Sequence, residues 1–327
     1  MGTQTKGHPA TISAATPVVE AARDLIAERL STVRERLRKA LKKPQRRRQQ
    51  IHALRVATRR ATAAIDLFRD CLPKPIRTEV RATLRSLRKA VAEARDWDVL
   101  LQQLAKTISD ADADAVPTLD MLTGYALAHR GQAQSALEEV ARDRSPQELK
   151  KLEARVVAAV RWKRKGQPTL GDFARPRIGQ QLRDLTTIAE RDNDAWTMLH
   201  EVRIAGKRLR YSLEVVDGCL DPAVSDHVAP ALVRLQEVLG GVNDSFHASE
   251  LFEAILSGMR ATTPAAADRY QSVLEHLIAE HQQRMQSGRE AFDAWLHEWH
   301  SPEMQRTLKA ITPGHPRSFL PAQEGIR

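Results

Sequence analysis

Cysteine is almost missing from this chain. Cys71 and Cys219 are the only two, too few for the disulfide framework of a small secreted protein and too isolated for a zinc site. Aromatic residues make up only 4% of the sequence, which leaves few platforms on which a single-stranded nucleic acid could stack its bases. No apolar run approaches the length of a bilayer span, and the first twenty residues lack the compact apolar stretch of a secretory signal. A soluble, reducing, cytoplasmic setting is therefore expected. Sustained strand-like alternation is absent, as are a Gly-x-x-x-x-Gly-Lys-Ser/Thr loop, a nucleophile elbow and a dinucleotide fingerprint. No catalytic residue, cofactor or metal is assigned, and a non-enzymatic binding protein is expected.

What the sequence does have is positive charge. Lys and Arg total 51 against 41 Asp and Glu, a formal charge of +10, so an acidic partner is the first expectation. Apolar residues recur at helical spacing in segment after segment. The spacing predicts helices over 17–42, 46–71, 76–108, 113–142, 146–164, 170–191, 194–218, 222–239, 243–258 and 264–310. Pro44, Pro73, Pro75, Pro146, Pro168, Pro222 and Pro264 mark breaks, because proline lacks the amide proton that a helix interior needs. Gly218, Gly240 and Gly241 read as helix ends.

An internal repeat organises these helices. Slid 148 positions against itself, the sequence matches without a gap across 51–96 and 199–244. His52/His200, Arg55/Arg203, Arg60/Arg208, Cys71/Cys219, Leu84/Leu232 and Asp96/Asp244 are among the identities. The chain is thus expected to be all-α, with two pseudo-symmetric antiparallel helical bundles.

His52, Arg55 and Arg59 stand at spacings that place them on one helix face, and His200, Arg203 and Lys207 repeat the pattern, with Arg210 one turn further. Leu54, Ala61, Ile65 and Phe68, and in the second copy Val202, Leu209, Leu213 and Val216, lie on the opposite, packing face. A stripe of charge is ordinarily a solvated surface. Here the same order of basic residues stands in both copies, which argues for use. Arg81, Arg85, Arg88 and Lys89 form a further ladder leading to Arg95 and Asp96, whereas the second copy has Ala229, Val233, Gln236, Glu237 and Asn243. Arg, Lys and His together suit phosphate oxygens, by planar fork, mobile point charge and pH-dependent donor. Two such stripes facing one another would line a groove for a long, thin anion.

The segment His200-x-x-Arg203-x-x-x-Lys207-Arg208-Leu209-Arg210-Tyr211, followed by Leu235-Gln236-x-x-Leu239-Gly240-x-x-Asn243-Asp244, resembles the CHAD family, the conserved histidine α-helical domain. His52-x-x-Arg55-x-x-x-Arg59-Arg60 and Ala94-Arg95-Asp96-x-Asp98-Val99-Leu100 look like its N-terminal counterparts. The resemblance spans 17–310 and implies a CHAD domain whose two helical bundles, of about 17–160 and 168–310, surround a central basic cavity; residues 1–16, small and polar, and 311–327, rich in breakers, read as a mobile tail and a frayed one. It implies binding of inorganic polyphosphate, often at polyphosphate granules, and does not imply catalysis. The residues it assigns to the ligand are His52, Arg55, Arg59, Arg60, His200, Arg203, Lys207, Arg208 and Arg210, to which the basic ladder adds Arg85, Arg88 and Lys89. Thr62 stands where the first motif often has another arginine. The alternating Glu-x-Glu-x-Lys strand of the CYTH barrel that many relatives carry does not occur. Nucleic-acid binding through the same charge, and a polyphosphate-processing enzyme, are the competing readings.

Other features are assigned structural roles. Asp96 and Asp244 are expected to cap helix starts; with His52 and His200 they could ligate a metal, although no close ligand spacing supports it. Trp162, Trp196, Trp295 and Trp299 are expected to pack, Cys71 and Cys219 to be buried apolar groups, and His297 and His300 to lie at the surface near a helix end.

Overall fold

The computed structural model describes residues 12–42, 47–191 and 196–311. Among these the chain forms α1 (Val18–Lys42), α2 (Arg47–Leu67), α3 (Lys74–Ala90), α4 (Ala92–Ser109), α5 (Val116–Asp143), α6 (Pro146–Ala159), α7 (Leu170–Ala189), α8 (Trp196–Val215), α9 (Ala229–Thr262), α10 (Pro264–Trp299) and α11 (Pro302–Ile311). The one β-type pairing among them is the isolated bridge of Pro17 with Thr169. Most of the expected tail at 1–16 and of that at 311–327 lies outside the described residues, as does Pro44. Residues 13–17, however, already belong to the folded body. Thr16 and Ala14 offer their carbonyls to the amides of Leu170 (2.8 Å) and Gly171 (2.9 Å), which ties the start of α1 to the start of α7.

Several helix ends follow from local chemistry. Ser145 Oγ accepts from the Glu148 amide ahead of Pro146, and Thr169 Oγ1 accepts from the Asp172 amide, each satisfying an otherwise orphaned donor. Three expected boundaries differ. The segment 76–108 is divided at Val91, which is fully buried and closes α3 with helical torsions before α4 sets off from it. The segment 264–310 is divided at Pro302, where Ser301 Oγ caps the Met304 amide and the missing proline donor costs nothing. Conversely, Gly240 and Gly241 do not end a helix: α9 runs through them without a break. Each glycine costs about 1 kcal/mol in a helix interior. The burial of Leu239 and Val242 on either side of the pair offsets that cost.

The two sequence halves share their apolar interior. One core runs through α1, α2, α3, α6, α7, α8 and the ends of α9 and α10, with Phe68, Phe173, Trp295 and Trp299 among its largest members. Cys71 and Cys219 are buried in it as free thiols. A smaller core gathers Leu100, Leu104, Leu119 and Leu122 of the α4–α5 hairpin against Phe252, Leu256, Leu274 and Leu277 of the α9–α10 hairpin. The order of packing recurs along the chain: α1 packs on α2 and α6, and α7 on α8 and α11; α4 pairs with α5, and α9 with α10. Joining the halves, α2 packs directly on α8.

Two glycines permit the closest crossings. A Cβ on Gly206 of α8 would stand 2.9 Å from both Gln236 Nε2 and Leu235 Cδ2 of α9. One on Gly288 of α10 would run into the Val242 side chain. Both helices therefore lie close against α9, and a larger residue at either position would have to displace the Leu235, Gln236 or Val242 side chain.

Candidate anion-binding site

The packing of α2 on α8 brings the two basic stripes together. Arg203 and Lys207 of α8 stand in the field of Arg55 and Arg59 of α2, and Arg88 of α3 stands in the same field. Burial is the first cause of the perturbations that follow. It pushes the Lys207 ammonium down to about 6, helped by Arg203, Arg59 and Arg55 and opposed by Asp244. It lowers Arg203, with Arg59 and Arg55 adding to the effect, and Arg88, with Arg59, Arg85 and Arg55 adding to it. Arg95 is lowered by burial and by Arg48 and Arg55, against Asp98 and Asp244. Like charges held together away from water disfavour their own ionisation.

Both motif histidines belong to this cluster. Partial desolvation lowers His52, beside Arg95, Arg55 and Arg59, and likewise lowers His200, beside Arg203, His247 and Lys207. His200 Nδ1 and Arg203 Nε are shielded from solvent without a hydrogen-bond partner. At the start of the α2 stripe, Arg48, Gln49, His52, Arg95 and Gln102 line an open pocket of about 470 Å³. Arg48 donates there to Gln102 Oε1 at 2.8 Å and to the Asp98 carbonyl at 3.2 Å.

The acids that meet the cluster come from other helices. Asp96 accepts from Arg55 at 3.0 Å while remaining largely open to water. Asp96 and Asp244 lie inside α4 and α9, whose first caps are Val91 and Val228, so neither caps a helix. Among the described residues no three His, Cys, Asp or Glu side chains gather as a metal-ligating group. The buried Asp98 is taken up elsewhere, by Arg130 at 2.5 Å.

The remaining stripe residues turn away. Arg60 and Arg210 both pair with Glu214, at 2.6 Å and 3.3 Å. Arg208 is exposed and lies 4.0 Å from Asp184. Arg85 and Lys89 are exposed on α3, Arg85 within the field of Arg88. The structure thus gathers His52, Arg55, Arg59, Arg88, His200, Arg203 and Lys207, with Arg85 at the edge, and sends Arg60, Arg208 and Arg210 to carboxylate partners. Arg95 and Arg48 join the cluster although neither was chosen from the sequence. Arg48 lies one helical turn before His52 on the same face, and Arg95 adjoins the repeated aspartate; both spacings could have singled them out.

Fold and site together define an all-helical protein with a half-buried cluster of cations where the two helices that carry the repeated sequence motif, α2 and α8, meet. The CHAD domain matches residues 24–253, and the chain belongs to that family. It is similar to the crystal structure of the CHAD domain from the plant Ricinus communis, at 25% identity and a TM-score of 0.68 over 90% of this chain and 97% of that one. PptA from Streptomyces chartreusis shares the fold at 17% identity and a TM-score of 0.66, over 86% of this chain and 100% of that one. No curated protein sequence matches the chain. Among the described residues no helix is long and apolar enough to cross a membrane.

Proposed function

We propose that the cationic cluster between α2 and α8 binds inorganic polyphosphate, and that the protein acts by holding this ligand, in the cytoplasm or on polyphosphate granules, with no bond made or broken. One observation carries the reading: Arg88, Arg95, Arg203 and Lys207 are partly withdrawn from water beside further arginines, with Asp96, Asp98 and Asp244 as the main opposing charges. Folding that brings such cations together works against their repulsion and desolvation. A polyanion threaded among them would neutralise both costs, so the arrangement is one that a ligand stabilises. The ligand has to be thin, because the cations stand on helices in direct contact. A chain of tetrahedral phosphates has the right charge density and presents no bases.

Competition among polyphosphate, duplex DNA and short phosphates at near-physiological ionic strength tests the proposal. Long polyphosphate should bind tightest, lose affinity steeply with added salt through counterion release, and resist displacement by DNA at matched charge. Equal competition by DNA would favour the nucleic-acid reading. Release of orthophosphate on incubation with divalent metal would favour a processing enzyme.

A further inference from the structure

The two cationic faces begin differently. On α8, Trp196, His200, Arg203 and Lys207 follow one another at spacings of 4, 3 and 4, which keeps them on one face. On α2 the same spacings give Arg48, His52, Arg55 and Arg59. Where the first face starts with a guanidinium, the second starts with an indole. The partner from the following element changes with it. Phe246 of α9 stacks on Trp196 with ring centroids 4.4 Å apart and planes 9° from parallel. The position matching Phe246 in the first half is Asp98, whose carbonyl receives Arg48.

His200 lies 5.7 Å from the Trp196 ring, and His247 is edge-on to both Trp196 and Phe246. Trp196 and Phe246 are each only partly buried, and His247 is exposed. Trp196 packs in part on the main core, as expected of it, but unlike the buried Trp295 and Trp299 it leaves part of its surface open, and so does Phe246. This pair sits instead at the end of a line of phosphate-suited side chains.

We infer that Trp196 and Phe246 form a ring-stacking site at the α8 end of the cationic face, and that it accepts the base of a nucleoside polyphosphate whose phosphates run along His200, Arg203 and Lys207. The inference rests on the proposed phosphate-binding role of that face and adds to it the class of group that terminates the chain. One platform serves one base; it does not make the site a binder of nucleic-acid strands, which need a series of them.

Titration calorimetry of the full-length chain with tripolyphosphate, adenosine 5′-triphosphate and long-chain polyphosphate, in metal-free buffer, tests this. Stacking of one base corresponds to about a tenfold gain, so adenosine triphosphate should bind about ten times more tightly than tripolyphosphate. Trp196→Leu should abolish that difference while long polyphosphate keeps its affinity. Phe246→Leu, which retains the indole, should reduce the difference in part and serves if Trp196→Leu loses its helical circular dichroism. Equal affinity of the two short ligands for the unaltered protein would overturn the inference without touching the polyphosphate reading. Equal weakening of all three ligands by a folded Trp196→Leu would also overturn it. If long polyphosphate fails to bind while adenosine triphosphate binds through Trp196, the stacking site stands and the polyphosphate proposal falls.

Discussion

Residues 81–98 and their counterparts 229–246 in α9 lie beside the two stripe helices, yet they are built differently. The first segment is broken at Val91 and carries Arg81, Arg85, Arg88 and Arg95. The second is one uninterrupted helix in which those positions are Ala229, Val233, Gln236 and Asn243. Gln236 in particular is used for contact, since it lies against Gly206 and its amide reaches the Arg203 carbonyl at 3.4 Å. One copy has kept a charged wall while the other has been given over to close helix packing. On this reading affinity resides in α2, α3 and α4 together with the two most buried cations of α8.

The largest expected effect comes from the place where the halves meet. Arg203→Glu or Arg59→Glu should each weaken polyphosphate binding by about 30-fold or more, the order found when one member of a desolvated charge contact is lost. Titration at fixed salt measures this. Next, Arg88→Gln should cost more than any neutral substitution at Gln236, since only the first copy offers charge there. A smaller and opposite change is expected of Val233→Arg, which restores on α9 the charge that Arg85 gives α3. Affinity should rise a few-fold, and the slope of log K against log salt should steepen by about 0.7–0.9 for the added phosphate contact. Neutralising Arg60, Arg208 or Arg210 should change binding least, because Glu214 and Asp184 already engage them.

Lys207 separates stability from binding. In the folded chain it sits near 6, whereas in the unfolded chain a lysine titrates near about 10.4. Across that interval the unfolded chain holds a proton that the folded one has released. Stability therefore falls as pH drops from about 10 toward 6 and is insensitive to this group below that. Lys207→Met removes a side chain that burial and the neighbouring Arg203, Arg59 and Arg55 force to give up its proton on folding at neutral pH. It should raise the thermal midpoint of the unliganded protein at neutral pH by a few degrees while lowering affinity for polyphosphate. A lower midpoint would mean that the ammonium is paired in solution.

Much of this was legible in the sequence. The repeat and the spacing of His52, Arg55 and Arg59 against His200, Arg203 and Lys207 pointed to the helices that meet, because a face set by 3.6-residue periodicity is a local property. Which of the adjacent arginines turn inward was not local. Arg60 and Arg59 are neighbours in sequence, but Glu214 of another helix receives only the first. Thr62 shows the same limit. Its lack of charge costs the cluster little, since its counterpart Arg210 is directed to Glu214. The breaks at Val91 and Pro302 and the continuity through Gly240 and Gly241 were likewise decided by packing or by a cap outside the apolar pattern.

The central claim is that the ligand reaches the cations buried between α2 and α8. Proton linkage tests it most directly, through calorimetric titration with polyphosphate at pH 7.5 in buffers of different ionisation enthalpy. A polyanion beside Lys207, His52 and His200 should restore their protons, so binding should take up on the order of one proton per chain, most of it lost in Lys207→Met. Tight binding with no proton uptake would place the ligand on the outer arginines and contradict the account.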